Sequence, residues 1–252
     1  MIKIESFEGE IDAAVIGASG GIGRAMTQLL LGAPGICTVH ALSRRGRVAG
    51  LSGDVSKLST HALDLSVEGS IDGAMAALAA KRMPRLMVVA TGLLHDGQRL
   101  RPEKNWRDLD PAALAESYAI NTIGPALVAK HAFPRFPRRE RAIFGVISAR
   151  VGSIADNQAG GWYGYRASKA ALNQILKCLA IEATRSRPQL VVAGLQPGTV
   201  ATPLSAPFRS GVRAQDLFAP EEAAGHLLGV LDRLQPEHSG RLFDWRGEEF
   251  PP

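Results

Sequence analysis

Tyr165 and Lys169 stand four residues apart in a stretch whose apolar residues recur with helical spacing. Side chains at that separation lie above one another on one helix face, so the phenol and the amine are predicted to be neighbours. A phenol ionises near pH 10, and a nearby ammonium favours the phenolate and lowers that pKa. The pair therefore predicts general acid/base chemistry, and Lys169 could also hold ribose hydroxyls. Tyr118 and Tyr163 have no lysine so placed, although such a pair can arise by chance in a structural helix.

A glycine-rich turn near the start of the chain predicts a phosphate site. Residues 13–16 are typical of a buried parallel strand, and residues 24–30 continue with helical periodicity. Between them, Gly17 permits a tight turn, and Gly21 and Gly23 let a pyrophosphate and the helix approach the backbone. The spacing is G-x-x-x-G-x-G rather than the commoner G-x-G-x-x-G. A glycine-rich loop without a ligand is the alternative.

The end of the second predicted strand, residues 37–42, indicates which dinucleotide such a turn would hold. It runs into Ser43, Arg44 and Arg45, and no carboxylate stands there. An acidic residue at this position binds the ribose hydroxyls of NAD, whereas guanidinium groups suit the additional phosphate of NADP. The sequence therefore predicts NADP(H), with an exposed basic loop that binds no ligand as the alternative.

Composition limits the classes of protein to consider. The 252 residues suit one α/β domain with a sizeable core, predicted to span residues 1–252. The sequence has no apolar run of about 18 residues and no secretory leader, and Cys37 and Cys178 are predicted to be buried free thiols. These features predict a cytoplasmic protein without a membrane segment. The net charge of +5 comes from scattered basic residues without interleaved aromatics, so we expect no nucleic-acid partner and assign no metal site.

Short apolar strands alternate with helical segments along the chain, which predicts a doubly wound, mostly parallel seven-stranded sheet flanked by helices. Strands are predicted at residues 13–16, 37–42, 60–63, 85–90, 142–148, 189–195 and 240–245, and helices at residues 24–30, 71–80, 111–133, 163–185 and 221–234. Loops at residues 93–110, 153–162 and 203–218 are expected on the substrate side, the last as a mobile lid. Leucine and aromatic residues of these loops predict an apolar pocket, although each could pack in the core: Leu93, Leu94, Trp162, Leu204 and Phe208.

Polar residues also stand where an open α/β sheet binds ligands. Pro125 has no N–H, so the carbonyl of Asn121 loses its helical partner, and a bound water is a natural substitute. A kinked helix without a function is the alternative. Asp64, after the third strand, is predicted to contact the adenine edge, to cap the following helix, or both. Thr202 follows strand six and is predicted to face the nicotinamide carboxamide.

The glycine turn, Asn121, the Tyr165–Lys169 pair and residues 197–202 resemble the short-chain dehydrogenase/reductase family in order and spacing, over nearly the whole chain. Residues 148–173 are similar to its C-factor-like and sniffer-like carbonyl reductases. The resemblance implies a Rossmann fold and hydride transfer between NADP(H) and a carbonyl or alcohol carbon of a small, apolar substrate. It also implies that Tyr165 donates the proton and that a water on Asn121 completes a proton relay. The implied cofactor contacts are Gly17, Ser19, Gly21, Ile22, Gly23, Ser43, Arg44, Arg45, Asp64, Leu65, Ala90, Thr91, Gly92, Lys169, Pro197, Gly198, Val200 and Thr202.

Two positions depart from the family pattern. The usual Asn-Asn-Ala-Gly after strand four is Val-Ala-Thr-Gly at residues 89–92. The substrate-orienting serine is expected three residues before Gly152, where this chain has Ala149. Ser148 is one residue early and would point to the opposite face of a strand, whereas Ser153 could turn its hydroxyl into the site. Either serine, or neither, is the substitute.

Two functions from different classes follow. The first is an NADP(H)-dependent carbonyl reductase or alcohol dehydrogenase, and the second is a nucleotide-binding signalling or cofactor-sensing protein with little turnover. Ala149 favours the second, but the Tyr165–Lys169 pair argues more strongly for the first. A purely structural protein would leave the pair and the phosphate turn unexplained. The resemblance implies a homodimer or homotetramer through the helices at residues 112–133 and 163–185.

Overall fold

The computed structural model describes residues 2–97 and 99–252; Met1, and Gln98 of the predicted loop 93–110, lie outside the described residues. Its strands are β1 (Ile11–Ile16), β2 (Ile36–Ser43), β3 (Leu58–Ala62), β4 (Leu86–Val89), β5 (Ala142–Ile147), β6 (Leu190–Gln196), β7 (Thr199–Val200), β8 (Leu217–Phe218) and β9 (Arg241–Asp244). One sheet has the Rossmann order β3-β2-β1-β4-β5-β6-β9, and β7 pairs with β8 separately. The predicted seven-stranded sheet is confirmed, and all its pairings are parallel. The order reverses between β1 and β4, which opens a crevice at their carboxyl ends.

Helices cover both faces of the sheet because side chains along each strand point alternately to the two faces. They are α1 (Gly21–Leu31), α2 (Glu68–Ala79), α3 (Pro111–Tyr118), α4 (Gly124–Ala132), α5 (Tyr163–Ser186) and α6 (Pro220–Arg233). Val15 packs with α1 and α6 on one face, and Ile16 packs with α2, α4 and α5 on the other. Within residues 2–97 and 99–252, no helix is both long and apolar enough to span a bilayer.

The helix predicted over residues 111–133 is divided in the structure. Residues Ala119–Ile123 form a π-helical turn between α3 and α4, and the N–H of Gly124 donates to the carbonyl of Ala119, five residues back. Pro125, in the first turn of α4, has no N–H to continue the α-helical ladder. The uninterrupted helix was therefore wrong, and the predicted disturbance at Pro125 takes the form of a π turn, which is frequent at functional sites.

The predicted burial of the two cysteines is wrong. Cys178 is exposed on α5, whose buried face carries Leu172, Leu176 and Ala180 instead. Cys37 is half-buried near the start of β2, where its thiol donates to a carboxylate oxygen of Glu10 at 2.9 Å. Both are free thiols. Their apolar sequence neighbours did not predict their burial, because burial depends on which face of the helix or strand each residue occupies.

Candidate active site

The glycine turn joins β1 to α1 as predicted. Gly17 has a φ of 86°, a conformation that glycine adopts readily, and a β-carbon there would lie 2.7 Å from Thr91 Cγ2. A β-carbon on Gly23 would overlap the Gly17 carbonyl oxygen, so this glycine lets α1 begin directly against the turn. In the described chain, α1 has no side-chain cap and no acidic residue in its first turn. Its first N–H groups therefore remain able to bind an anion.

Gly21 also makes room for a side chain that the sequence did not indicate. A β-carbon on Gly21 would lie 2.5 Å from Thr202 Cγ2, so the missing side chain gives room to Thr202, and its predicted role toward a pyrophosphate stays a prediction. This contact places Thr202 at the start of α1. The segment after β6 thus reaches the phosphate turn, as its predicted role beside a nicotinamide requires.

A cleft of about 690 Å³ opens at the carboxyl ends of β1 to β4. The predicted cofactor residues that line it are Gly17, Ser19, Ser43, Arg44, Asp64, Leu65, Ala90, Thr91 and Gly92. The side chains of Ile22 and Val200 instead pack with Phe218 and Trp245. Val200 is buried, so any contact of this residue with a dinucleotide would use backbone atoms, whereas Ile22 is only partly buried. Pro197 and Gly198 form the turn after β6, where Phe218 packs closely on Gly198.

A second cleft of about 680 Å³ adjoins the first and is strongly basic. No carboxylate is among the described residues that line it. Four arginines do line it: Arg24, Arg44, Arg45 and Arg47. Arg24 donates to the carbonyl of Gly50 at 3.2 Å and pairs with Glu221 at 3.5 Å. Sequence reasoning missed Arg24 and Arg47, although Arg24 directly follows the last glycine of the turn and Arg47 belongs to the same basic run as Arg44.

Asp64 lines the cleft but does not cap a helix. The Asp64 Oδ1 accepts hydrogen bonds from the Ser66 amide at 2.9 Å and from the Ser66 hydroxyl at 2.6 Å. The Ser66 hydroxyl and amide lower the pKa of this carboxyl, with a smaller contribution from the Arg44 guanidinium. The capping prediction was wrong because α2 begins after Val67, three residues earlier than expected, and Val67 provides no side-chain cap.

Tyr165 and Lys169 are brought together in the first turns of α5. The Lys169 Nζ lies 5.8 Å from the centroid of the Tyr165 ring and donates to the Ile147 carbonyl at 2.8 Å. Burial lowers the pKa of Lys169 to about 7 and raises the pKa of Tyr165 to about 12. The predicted lowering of the Tyr165 pKa is therefore wrong for the free protein, because burial destabilises the phenolate and Lys169 binds a carbonyl. At neutral pH Tyr165 is a protonated phenol.

Asn121 lies in the π turn and braces the loop that follows β4. Its Oδ1 accepts from the Leu93 amide at 2.8 Å, and its Nδ2 donates to the Leu93 carbonyl at 2.8 Å and to the Ser168 hydroxyl at 3.1 Å. The side chain therefore ties the Val-Ala-Thr-Gly segment to α5. A β-carbon on Gly92 would lie 4.0 Å from Lys169 Nζ, so this loop passes beside the Tyr165–Lys169 pair. The water predicted on the Asn121 carbonyl stays a prediction.

The hydroxyls of Ser148 and Ser153 are both buried, each residue being 1% exposed. Ser148 directly follows β5 and donates to Asn173 Oδ1 on α5 at 2.6 Å. The Ser153 hydroxyl accepts from the Asp156 amide at 3.2 Å and donates to the Pro252 carbonyl at 3.3 Å. Neither contact involves Tyr165. The loop that carries Ser153 packs on α5 at Lys169, since a β-carbon on the preceding glycine would lie 2.7 Å from Lys169 Cβ.

Glu103 fastens the loop before α3 to the start of α5, a role that sequence reasoning missed. Its carboxylate accepts from the Gly164 amide at 3.2 and 3.3 Å, and its carbonyl accepts from the Trp162 amide at 2.6 Å. The carboxylate thus caps the helix that presents Tyr165 and lies at the positive end of its dipole. A lone glutamate in a polar loop gives no local signal of such a contact, because its partner is 61 residues away.

The sequence that carries these residues also matches a known protein family. A model of the family described as short chain dehydrogenase matches residues 12–213, which include the glycine turn, the π turn and the Tyr165–Lys169 pair. The chain belongs to the short-chain dehydrogenase family. It is therefore an oxidoreductase of that family.

Two curated relatives of this short-chain dehydrogenase share sequence over part of its length. C-signal of Myxococcus xanthus is 38% identical over 145 residues, which are 57% of this chain and 81% of that protein. The 1-hydroxy-2-glutathionyl-2-methyl-3-butene dehydrogenase of Rhodococcus sp. (strain AD45) is 38% identical over 134 residues. Those residues are 53% of this chain and 56% of that dehydrogenase, so the second match spans about half of each protein.

Solved structures extend the likeness in fold over nearly the whole chain. The NADPH-bound carbonyl reductase from chicken fatty liver has a TM-score of 0.81 at 22% identity, covering 98% of this chain and 97% of that one. Carbonyl reductase Sniffer of D. melanogaster has a TM-score of 0.79 at 18% identity, covering 96% and 100%. At these identities the likeness shows the fold, and it agrees with the predicted resemblance to sniffer-like and C-factor-like proteins.

The buried amine of this short-chain dehydrogenase gives a pH-dependent stability. Lys169 titrates near pH 7 when folded and near 10.5 when unfolded, so between these values the unfolded chain binds the extra proton. Raising the pH from 7 to 9.5 should therefore stabilise the wild type relative to Lys169→Met by about 3 kcal/mol. Tyr165 adds nothing in this window, because its raised pKa makes it titrate only above pH 10.

Urea unfolding of both proteins at pH 7 and pH 9.5 measures this difference directly. Lys177→Met, which removes an exposed amine from the same helix, is the matched control. Parallel pH dependences of the wild type and Lys169→Met would contradict a buried amine that titrates near neutrality.

Proposed function

We propose that this protein is an NADP(H)-dependent carbonyl reductase or alcohol dehydrogenase with Tyr165 as general acid/base. The observation that carries the proposal is the Tyr165–Lys169 pair on α5, beside a loop that lines the cleft of the phosphate turn. Acid/base and phosphate-binding groups that converge in this way suit hydride transfer with an accompanying proton. The NADPH-bound carbonyl reductase among the structural neighbours supports this choice of cofactor and reaction.

The residues of the two clefts fit a phosphorylated dinucleotide. The open N-terminus of α1 would hold the pyrophosphate, and Arg44 and Arg45 would hold the additional phosphate. The Thr91 hydroxyl is buried and has no hydrogen-bond partner within the part of the chain that the structure describes. Such an unpaired group is costly unless a ligand satisfies it, which supports a bound cofactor beside Gly17. Lys169 would bind the nicotinamide ribose, and Thr202 the carboxamide.

When bound, the dinucleotide would supply a hydride to the carbonyl carbon of the substrate. Tyr165 gives its hydroxyl proton to the carbonyl oxygen as negative charge develops there, and the product is an alcohol. The protonated form of Lys169 would stabilise the tyrosinate that remains. We propose that a water held by the Asn121 carbonyl in the π turn returns a proton to this pair. In the reverse direction Tyr165 accepts the proton.

We propose Ser153, rather than Ser148, as the serine that orients the substrate. The Ser148 hydroxyl donates to Asn173 Oδ1 at 2.6 Å, whereas the Ser153 hydroxyl makes a longer bond of 3.3 Å to the Pro252 carbonyl and lies in the loop that packs on Lys169. Ser153→Ala should lower kcat by about 10²-fold, the size expected when one donor to a developing oxyanion is lost. Ser148→Ala should cost about 1–3 kcal/mol of stability, because Asn173 Oδ1 loses its donor, with kcat within about threefold.

Steady-state kinetics and urea unfolding of the two serine variants test this assignment. A kcat loss in Ser148→Ala with an unchanged Ser153→Ala would reverse it. Equal and small kcat losses in both variants would show that Tyr165 alone positions the carbonyl oxygen.

We further propose a homodimer or homotetramer assembled through α4 and α5. Large apolar side chains are exposed on these segments: Ile123 in the π turn is 49% exposed and Ile181 on α5 is 51% exposed. Covering them in a subunit contact would remove apolar surface from water. Free thiols at Cys37 and Cys178 suit a reducing cytoplasm, which we propose as the location.

The second candidate is a nucleotide-binding signalling or sensing protein with little turnover. The committed hydroxyl of Ser148 and the absence of a serine at position 149 favour it, and one relative is named C-signal. The intact Tyr165–Lys169 pair favours the enzyme. Incubation of the protein with NADPH and a panel of small aldehydes and ketones, with the alcohol product quantified, separates the two. Alcohol formation supports the reductase, and tight NADPH binding without any alcohol supports the sensor.

A further inference from the structure

The chain enters α5, the helix that carries Tyr165, through an unusual backbone. Gly160, Gly161 and Trp162 have φ values of 64°, 63° and 52°, and Trp162 is alone among the described non-glycine residues in having a positive value. A tryptophan persists in this conformation only where surrounding contacts impose it. Trp162 is also the N-cap residue of α5, yet its side chain provides no cap. The start of the helix therefore depends on another segment.

Glu103 supplies the missing contacts. Its carbonyl accepts from the Trp162 amide at 2.6 Å, and its two carboxylate oxygens accept from the Gly164 amide at 3.2 and 3.3 Å. A β-carbon would lie 3.3 Å from the Glu103 carbonyl oxygen if placed on Gly161, and 2.9 Å from the Glu103 Oε1 if placed on Gly164. The backbone on both sides of Trp162 is thus packed against this one residue, and Gly164 directly precedes Tyr165.

The Glu103 carboxylate is buried without a cationic partner. The residue is 7% exposed, and among residues 2–97 and 99–252 no lysine, arginine or histidine forms an ion pair with it. A buried charge is costly unless it is paired, and the N-terminus of a helix offers only about half an elementary charge. A neutral amide could hold the same turn at lower cost. The charge itself therefore calls for a role.

The other charged side chains on the segments packed around the start of α5 are engaged elsewhere. Lys104, the next residue along the chain, is exposed, and four further groups bind carbonyls or ions of opposite charge. Glu103 is therefore the carboxylate that contacts the turn carrying Tyr165. The four engaged groups are Lys169 and Arg166 on α5, Glu116 on α3 and Arg150 in the loop before Ser153.

We propose that Glu103 is a positioning residue for the proton transfer: its carboxylate fixes the turn that presents Tyr165, and its negative charge keeps the phenol protonated until the substrate oxygen takes the proton. This inference rests on the proposed reductase function. The charge acts because a carboxylate beside the first turn of α5 disfavours a phenolate on that turn. The contact acts because an acid displaced by about 1 Å loses much of its effect on the rate.

Two substitutions of Glu103 test the contact. Glu103→Ala removes the hydrogen bond and the charge, and should lower kcat about tenfold or more while the Kd for NADPH changes less than about threefold. Glu103→Gln keeps an acceptor oxygen for the Gly164 amide and should restore kcat to within about threefold of the wild type. Asp108→Asn, which neutralises an exposed carboxylate of the same loop, is the matched control and should keep the wild-type kcat. A Glu103→Gln variant as slow as Glu103→Ala would overturn the role of the contact.

The pH profile of alcohol oxidation isolates the charge. Oxidation by NADP⁺ of the alcohol that the wild type forms needs the Tyr165 phenolate, so kcat rises with pH as this phenol ionises. Because the phenolate forms more easily beside a neutral amide, Glu103→Gln should move this rising limb to lower pH by about one unit. Asp108→Asn should leave the limb in place. A purely structural cap would not move it, and an unmoved limb in Glu103→Gln would contradict the electrostatic role.

Amide hydrogen exchange separates this inference from the proposed function, because it needs no turnover. Peptides covering residues 160–168 are followed by mass spectrometry in the wild type and the three variants. Exchange there should be at least about tenfold faster in Glu103→Ala and close to the wild type in Glu103→Gln and Asp108→Asn. If no carbonyl is reduced but this pattern is present, the reductase fails and the contact stands. If carbonyls are reduced and Glu103→Ala matches the wild type in exchange and kcat, the reductase stands and the role of Glu103 fails.

Discussion

Replacement of Tyr165 by phenylalanine is expected to lower kcat for carbonyl reduction by about 10³-fold, within the range that a positioned general acid contributes. The substitution removes only the hydroxyl oxygen and leaves the ring against Trp162 and Lys169. Cofactor binding should change by less than about threefold, because the clefts are lined by other residues. A separation of kcat from cofactor affinity is what loss of the proton donor predicts.

NADPH fluorescence titration and steady-state kinetics on the same preparations measure the two quantities. Tyr163→Phe, which removes a hydroxyl two residues away at the start of α5, is the matched control and should keep kcat within about threefold. A loss of less than tenfold in Tyr165→Phe would mean that another group supplies the proton.

Loss of the two arginines after β2 is expected to change cofactor choice. Arg44→Ser combined with Arg45→Ser should raise the Kd for NADPH by about 10²-fold or more, since each charged hydrogen bond to phosphate contributes about 1.5–3 kcal/mol. The Kd for NADH should stay within about threefold, because NADH lacks the phosphate that these groups would bind. The preference for NADPH over NADH should therefore be lost, and weaker binding of NADPH should account for almost all of that loss.

Removal of two arginines that lie outside both clefts controls for the change in net charge. Arg138→Ser combined with Arg139→Ser removes two exposed arginines that line neither cleft, and it should leave both dissociation constants unchanged. A wild-type protein that binds NADH more tightly than NADPH would contradict the role given to Arg44 and Arg45. If instead NADPH is preferred in both double variants, Arg24 and Arg47 would be the groups that hold the phosphate.

Local sequence patterns predict the fold well because the secondary structure that each pattern indicates depends mainly on residues that are neighbours in the chain. Apolar runs such as residues 13–16 favour buried strands, and glycine at position 17 is favoured where φ reaches 86°. The four-residue spacing of Tyr165 and Lys169 likewise survives folding, since it is a property of the helix itself. Ser148 directly follows β5, and its hydrogen bond to Asn173 is a contact between segments that no local pattern encodes.

The remaining features of the site depend on contacts between distant segments. Glu103 caps α5 from 61 residues away, and Thr202 fills the space that Gly21 leaves. No local pattern encodes either contact. The pKa of Tyr165 shows the same limit, because sequence identifies Lys169 as its neighbour but not the burial that raises the pKa to about 12. Sequence therefore identifies the candidate acid/base groups, while the fold determines their protonation.

A single-turnover experiment tests the central claim most directly. The purified protein is mixed with substoichiometric NADPH, the fluorescence of the bound nicotinamide is recorded, and a small aromatic aldehyde is added in excess. The account predicts that the fluorescence decays in one phase and that one equivalent of alcohol forms per NADPH consumed. Persistent fluorescence of tightly bound NADPH with every aldehyde and ketone tried would contradict a reductase and would support the sensing function.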